Sequence, residues 1–424
     1  MLDFDNLREI WSTIKKNKLR TFLTGFSVSW GIFMLISLLG AGNGLSNGVM
    51  YNFRDLAANR IEVWTRYTSK PWKGMKDHRY IQFTNDDYTA LAHEHKEIDL
   101  RSAILVRTDT LFHNNVFLTG RLSGIYPDHS SINFITLNSG MGRFINELDI
   151  NENRKVIVLS PRMKEVLFQS EPAIGKYVRC GDTMFQVVGV YYEKTPGNDA
   201  PAYIPITTAQ RLFNQGDRIH NLAFTVKGVT SEAENEAFEA RFRERTARRH
   251  QFDPTDKSAI GIWNTGKEMR MFESMINGIT LFIWIVGIGT LMAGIVGVSN
   301  IMLITVKERT REFGIRKAIG AKPSAILKLV IFESILITAV FGYLGMISAI
   351  GLTEGINYVM EMSMAGSQAA SDPMNNPTIF KNPTVDLSIS LMSTALIVVA
   401  GVLAGYFPAR KAVKVSAIEA MRAE

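Results

Sequence analysis

Gly44-Leu-Ser46-Asn-Gly48 spells G-x-S-x-G, the spacing of a nucleophile elbow, in which a serine on a strand-to-helix turn carries out acyl transfer. An elbow needs a strand before the serine and a triad histidine poised elsewhere. Here the pattern follows an apolar run long enough to cross a membrane and reads as its cap, so it is set aside as a site of chemistry. The seven histidines form no H-E-x-x-H, and on a helix His93-Glu-His95 would hold its two rings on opposite sides. No metal site is expected. The one cysteine, Cys180, excludes an intramolecular disulfide. No G-x-x-x-x-G-K-[ST] occurs, so the chain has no P-loop to cradle ATP phosphates. No catalytic residue is expected, and any ATP hydrolysis belongs to another polypeptide.

The charged stretch from Val306 to Pro323, VKERTREFGIRKAIGAKP, lies between two strongly apolar runs. Lys307, Arg309, Arg311, Arg316, Lys317 and Lys322 outweigh Glu308 and Glu312, the signature of a short cytoplasmic loop. The acids lie early and Arg316 and Lys317 late, which suits a helix dipole. Gly320 supplies a stop and Pro323 a start for the next helix. The loop is therefore expected to be a short helix.

This string closely resembles the signature of the FtsX/MacB family of ABC-transporter permeases. In that family the segment is the coupling helix that docks on an ATPase subunit. The resemblance assigns coupling to Glu308, Arg309, Thr310, Arg311, Glu312, Phe313, Gly314, Ile315, Arg316, Lys317 and Gly320, with Phe313 and Ile315 as apolar anchors. It implies that the chain binds no cofactor itself, ATP and magnesium being used by the partner ATPase. It further implies a homodimer, or a heterodimer with a related permease, and raises a periplasmic adaptor and an outer-membrane channel as further partners. The tail, Pro408-Ala-Arg-Lys-Ala412 and Ile418-Glu-Ala-Met-Arg422, is also similar to this family. It departs from the pattern at Ser416-Ala417, where Asp-Pro is usual.

Four apolar runs must position that loop. With 46% hydrophobic residues in 424, the composition is split between apolar ends and a polar middle. The expected fold is a multi-pass α-helical membrane protein of four transmembrane helices, with a large α+β extracytoplasmic domain between spans one and two. The boundaries read as a cytoplasmic amphipathic helix 1–20, spans at 21–42, 277–306, 324–352 and 387–408, and the coupling helix 307–323. The outer domain covers 43–276, the outer loop 353–386 and the cytoplasmic tail 409–424. The second run exceeds the ~20 residues a bilayer needs, so its helix is expected to continue above the membrane as a stalk. Basic flanks place both termini in the cytoplasm, and the resemblance implies a bacterial inner-membrane protein. The first run lacks a clear cleavage site and is expected to remain as an anchor.

In the middle, strand-like runs include Arg60–Trp64, Ala103–Val106, Lys155–Leu159, Met184–Val190 and Leu222–Val226; Asp86–His95 and Glu232–His250 read as helices. The order Gly142-Arg143-Phe144, an acidic patch to Asn153, and Phe185–Val190 resembles a MacB-type periplasmic core domain, which implies two lobes. The net charge of +7 gathers beside the apolar runs, which suits membrane lipids and an acidic partner surface better than nucleic acid. Glu333 falls inside span three, where a carboxylate must face protein and find a partner. Gly294 and Gly297, like Gly401 and Gly405, permit close helix packing, with a dimer interface one use for it. By resemblance the function is that of a permease subunit exporting peptides, drugs or other amphiphiles. Signalling to an extracytoplasmic enzyme or sensor, or lipoprotein extraction, is the alternative.

Overall fold

The computed structural model describes residues 18–53, 57–137, 140–192, 200–229, 231–366 and 380–414. In chain order its elements begin with α1 (Lys18–Phe53), β1 (Arg60–Thr65), β2 (Phe83–Thr84), α2 (Asn85–Glu94), β3 (Ile98–His113) and β4 (Val116–Ile125). There follow α3 (His129–Ile132), α4 (Glu147–Asn151), β5 (Val156–Leu159), α5 (Pro161–Phe168), β6 (Tyr177–Cys180) and β7 (Thr183–Val190). Next come β8 (Ala202–Pro205), α6 (Ile206–Leu212), β9 (Arg218–Ile219), β10 (Asn221–Val226), α7 (Glu232–His250) and β11 (Ile260–Asn264). The chain closes with α8 (Thr265–Glu308), α9 (Thr310–Ala318), α10 (Pro323–Gly366) and α11 (Leu387–Lys414). The amphipathic segment before Lys18 and the tail beyond Lys414 lie outside the described residues.

One compact unit contains, among the described residues, 18–48, 274–366 and 380–414. Among the described residues, α1, α8, α10 and α11 are long and apolar enough to cross a membrane. Helices suit that setting because their backbone groups pair internally, leaving none to the lipid. Their common core joins Val28 and Ile32 of α1, Leu291 and Val298 of α8, Val330 of α10, and Ile397 and Ala404 of α11. Outward, Phe282, Ile285, Ile347 and Leu403 stay exposed, as lipid-facing positions do.

The helices overrun the boundaries read from hydropathy. Helix α1 continues to Phe53, so Gly44–Gly48 sits within it and caps nothing. That stretch instead seats the segment leading into α11. The Lys381 N–H donates to the Gly44 carbonyl at 2.9 Å, and Asn47 Nδ2 donates to the Asn382 carbonyl at 3.0 Å. Helix α8 is one 44-residue element, begun by Asn264, whose Oδ1 accepts the Lys267 N–H at 3.2 Å. Helix α10 runs to Gly366, well past the expected start of the outer loop at 353, since no proline interrupts it. Helix α11 carries Pro408 in its interior and continues to Lys414. A proline removes one ladder bond without ending a helix that its neighbours hold.

The second unit, the described residues within 49–273, is built on a nine-stranded sheet of order β11-β1-β10-β3-β4-β8-β5-β7-β6. β3 is the hinge of this topology. Its first half pairs with β10, its second half with β4, and Leu111 and Phe112 pair with β6, closing the far strands into a ring. Closure leaves those strands without free edges. The two lobes expected from the sequence are therefore halves of one sheet, sharing β3 and one apolar core. β5, Val-Ile-Val-Leu, is buried at every residue, as a parallel strand covered on both faces must be. Helices α2 and α7 begin with capping boxes at Thr84/Asp87 and Ser231/Glu234.

Candidate functional site

Chain direction changes at Arg309, the one non-helical residue between α8 and α9 (φ −97°, ψ 17°). Thr310 Oγ1 donates to the carbonyls of Val306 at 3.2 Å and Lys307 at 2.8 Å, covering groups the end of α8 leaves unpaired. At the other end Gly320 adopts φ +100°. The Gly320 N–H bonds the Lys317 carbonyl at 3.0 Å and the Ala321 N–H bonds the Arg316 carbonyl at 2.9 Å. That is a Schellman stop, which needs a left-handed residue and hence glycine.

The inner face of α9 is tied down by a charged cluster. Arg309 donates from Nε to Glu312 Oε2 at 2.8 Å and from Nη2 to Oε1 at 3.0 Å, a two-pronged pair. Its third nitrogen, Nη1, reaches Glu333 Oε2 at 3.2 Å. Arg316 Nη2 also donates to Glu312 Oε1, at 2.8 Å. The Arg309 guanidinium stands 5.4 Å from the centre of the Phe313 ring. Glu333, 3% exposed within α10, is thus paired with the residue that joins α8 to α9. Arg309 spends all three guanidinium nitrogens binding two helices together. Lys317 Nζ donates to the Val413 carbonyl at 2.5 Å, tying α9 to α11.

This geometry corrects one expectation. Phe313 is 2% exposed and packs with Ile326, Val330 and Ala409 in the core of its own unit, so it anchors α9 to the spans and presents nothing outward. Gly314 is buried beside it. The outward face carries Lys307, Glu308, Arg311, Ile315, Ile319 and Lys322, all exposed, with Ile315 at 45% and Ile319 at 83%. Ile319, past the end of α9, was not singled out from sequence. Its exposure beside Gly320 follows from the Schellman turn.

The small residues are also placed. A Cβ on Gly401 would stand 2.8 Å from the Ile335 Cα, and one on Gly405 3.2 Å from the Ile331 Cα. Between them Ser334 Oγ donates to the Gly401 carbonyl at 2.5 Å. Gly294 and Gly297 lie against Val28 and Ser27 of α1. These seams are filled by packing inside one copy of the chain, so they are not open as a dimer interface. Contact between copies would have to use other faces.

In the outer unit Gly142 (φ +84°) lies against the β7 backbone, where a side chain would meet the Val188 carbonyl. The next residue, Arg143, grips Asp149 at 2.6 Å and 2.9 Å. Burial pushes the Asp149 carboxyl up, but hydrogen bonds from Arg143 and the Asn146 N–H hold it below the usual carboxylate value. The motif read from sequence is thus a structural clasp. His93 is exposed, whereas His95 is buried against the Phe238 and Phe242 rings, which lowers its pKa to about 4.

Family models match most of the chain. That for the MacB-like periplasmic core domain covers residues 21–245, and that for the FtsX-like permease C-terminal domain covers residues 284–417. A macrolide export ATP-binding/permease protein MacB of Chromobacterium violaceum is 27% identical over 413 residues, 96% of this chain and 59% of that protein. The protein of the same name from Escherichia coli strain K12 is 26% identical over 419 residues, 98% of this chain and 60% of its own. The crystal structure of the periplasmic region of MacB from Actinobacillus actinomycetemcomitans aligns with a TM-score of 0.43 at 19% identity, over 53% of this chain and 97% of its own. The chain therefore spans about three fifths of the length of the curated relatives it matches.

Proposed function

Since the chain belongs to the family of ABC-transporter permeases with a MacB-like periplasmic core domain and an FtsX-like permease domain, we propose that it is the membrane-spanning half of an ATP-driven exporter. The observation that carries this is the divided character of residues 307–322: one face of α9 is bonded into the spans, and the other offers Arg311, Ile315, Ile319 and Lys322 to a partner. In this reading an ATPase subunit or domain in the cytoplasm docks on that face, hydrolyses ATP with its own magnesium, and pushes α9. Cations around an apolar centre set register, while the isoleucines supply desolvated contact. Glu333 and Val413 receive the push through Arg309 and Lys317, and α8 carries it along a helix of about 66 Å at ~1.5 Å per residue. The work reshapes the outer domain and drives export of an amphiphile, with two copies of the permease acting together. An adaptor and an outer-membrane channel would complete the route outwards.

The test is co-purification with candidate ATPases, followed by ATP hydrolysis. Arg311→Glu together with Ile319→Asp alters only the outward face and is expected to abolish binding and stimulated hydrolysis without loss of folding. Arg316→Glu is a poorer probe, since it would set a second carboxylate against Glu312. A folded outward-face variant that still stimulates a bound ATPase fully would defeat the proposal.

A further inference from the structure

Between β1 and β2 the chain does not turn directly but runs out through residues 66–82, longer than most connections in a compact domain. Residues 66–80 read RYTSKPWKGMKDHRY, with Arg66, Lys70, Lys73, Lys76 and Arg79 against the single acid Asp77. Four aromatic or soft apolar side chains, Tyr67, Trp72, Met75 and Tyr80, are interleaved with them.

The segment is a built ribbon. Tyr67 pairs with Tyr80 and Trp72 with Met75 across it, and the Thr68 N–H bonds the Arg79 carbonyl at 3.0 Å. The two residues at the tip, Lys73 (φ 45°) and Gly74 (φ 83°), form the left-handed turn that closes a tight hairpin. Buried Asp256 holds the base, accepting from the Ser69 N–H at 2.6 Å, Ser69 Oγ at 2.8 Å and the Lys70 N–H at 3.1 Å. Arg79 donates to the carbonyls of His250 at 2.8 Å and Gln251 at 2.5 Å, where α7 ends. The base is fixed, and the upper part faces outward: Arg66, Tyr67, Lys70, Lys73, Met75, Lys76 and His78 are exposed, Tyr67 to 61%.

We propose that this tongue docks an acidic protein segment that also carries apolar or aromatic side chains. The cations supply charge complementarity, and tyrosine, tryptophan and arginine are the residue types on which protein interfaces concentrate their binding energy. Methionine at such a surface adapts to its partner. Two other polyanions fit less well. Nucleic acid needs separated rings on which bases stack, whereas Tyr67 and Tyr80 pack on each other with centres 5.1 Å apart. A bilayer surface is met by an apolar tip, and this tip is Lys73-Gly74. The assignment is independent of the coupling role given to α9.

The test uses the full chain in detergent micelles and a fluorescein-labelled copeptide of glutamate and tyrosine, read by anisotropy. Lys73→Glu with Lys76→Glu is expected to weaken binding about tenfold or more, and Trp72→Ala to weaken it less, each with unchanged thermal melting. Lys155→Glu with Arg211→Glu, exposed cations elsewhere in the domain, should leave binding as it is. If the double reversal disturbs folding, Lys73→Gln with Lys76→Gln replaces it and should show a smaller loss in the same direction. Equal binding by wild type and folded tongue variants overturns the proposal. So does tongue-dependent binding of phosphatidylglycerol vesicles or oligothymidine as tight as that of the copeptide.

Discussion

Replacing Arg309 with methionine removes the cation shared by Glu312 and Glu333 while keeping most of the side-chain volume. Glu333 is 3% exposed, so the change takes one partner from a buried ion pair, a loss of about 3–5 kcal/mol. The Glu312 side chain is 37% exposed and still bonded to Arg316, so its share is under about 1 kcal/mol. Glu333→Gln leaves Arg309 held by Glu312 and forfeits one charge-assisted hydrogen bond, about 1.5–3 kcal/mol. In Arg309→Met with Glu333→Gln both charges of the pair are gone together. The double variant is therefore expected to lose roughly 2 kcal/mol less than the two single losses added together. Equilibrium unfolding in mixed detergent micelles would measure the cycle. Arg309→Lys should recover only part of the stability, because an ammonium cannot reproduce the guanidinium's planar bonds to two carboxylates. Additivity within about 0.5 kcal/mol would refute the link between α9 and α10.

Phe313→Ala should destabilise by about 3–5 kcal/mol, read by the same unfolding measurement, because the ring is buried inside its own unit. Gly401→Ala and Gly405→Ala should each cost about 1–3 kcal/mol through forced separation of α10 and α11. Gly289→Ala, with open space around it, should be neutral or slightly stabilising in parallel melts. In the outer domain, burial raises the Asp87 carboxyl but hydrogen bonds from His250, Arg249 and the Thr84 N–H bring it below its ordinary value of 3.8. A depressed folded pKa gives stability that is complete above about pH 4 and is lost as pH falls through the folded value. Asp87→Asn should accordingly destabilise at pH 7 and flatten the acid limb of guanidinium unfolding curves followed by tryptophan fluorescence.

Hydropathy, loop charge and the Glu308–Ala321 string sufficed to read four spans, an α+β insert and the family, because each is a property of local sequence. A membrane span is set by about twenty apolar residues. A helix stop is set by one glycine, and Gly320 was legible for that reason. The strands found in advance were those with apolar runs, as in β5 and β10, or apolar alternation, as in β1. β4, β6 and β8 are short or rich in polar residues and were missed, since their strand character comes from pairing with β3, β7 and one another.

The direction in which a side chain points within a charged helix was beyond sequence. Phe313 and Ile315 are two residues apart on α9, yet one is in the core and the other is exposed. The helical period separates them by about 200° but does not say which face meets the spans. That is decided by where α10 and α11 lie, as are the pairing of Glu333 with Arg309, 24 residues away, and the carbonyl to which Lys317 donates. Sequence determined that a short charged helix lies within residues 307–323 between spans, and the structure bounds it at Thr310–Ala318. Only the tertiary structure decided which of its residues hold it to those spans, because that choice depends on contacts between segments far apart in the chain.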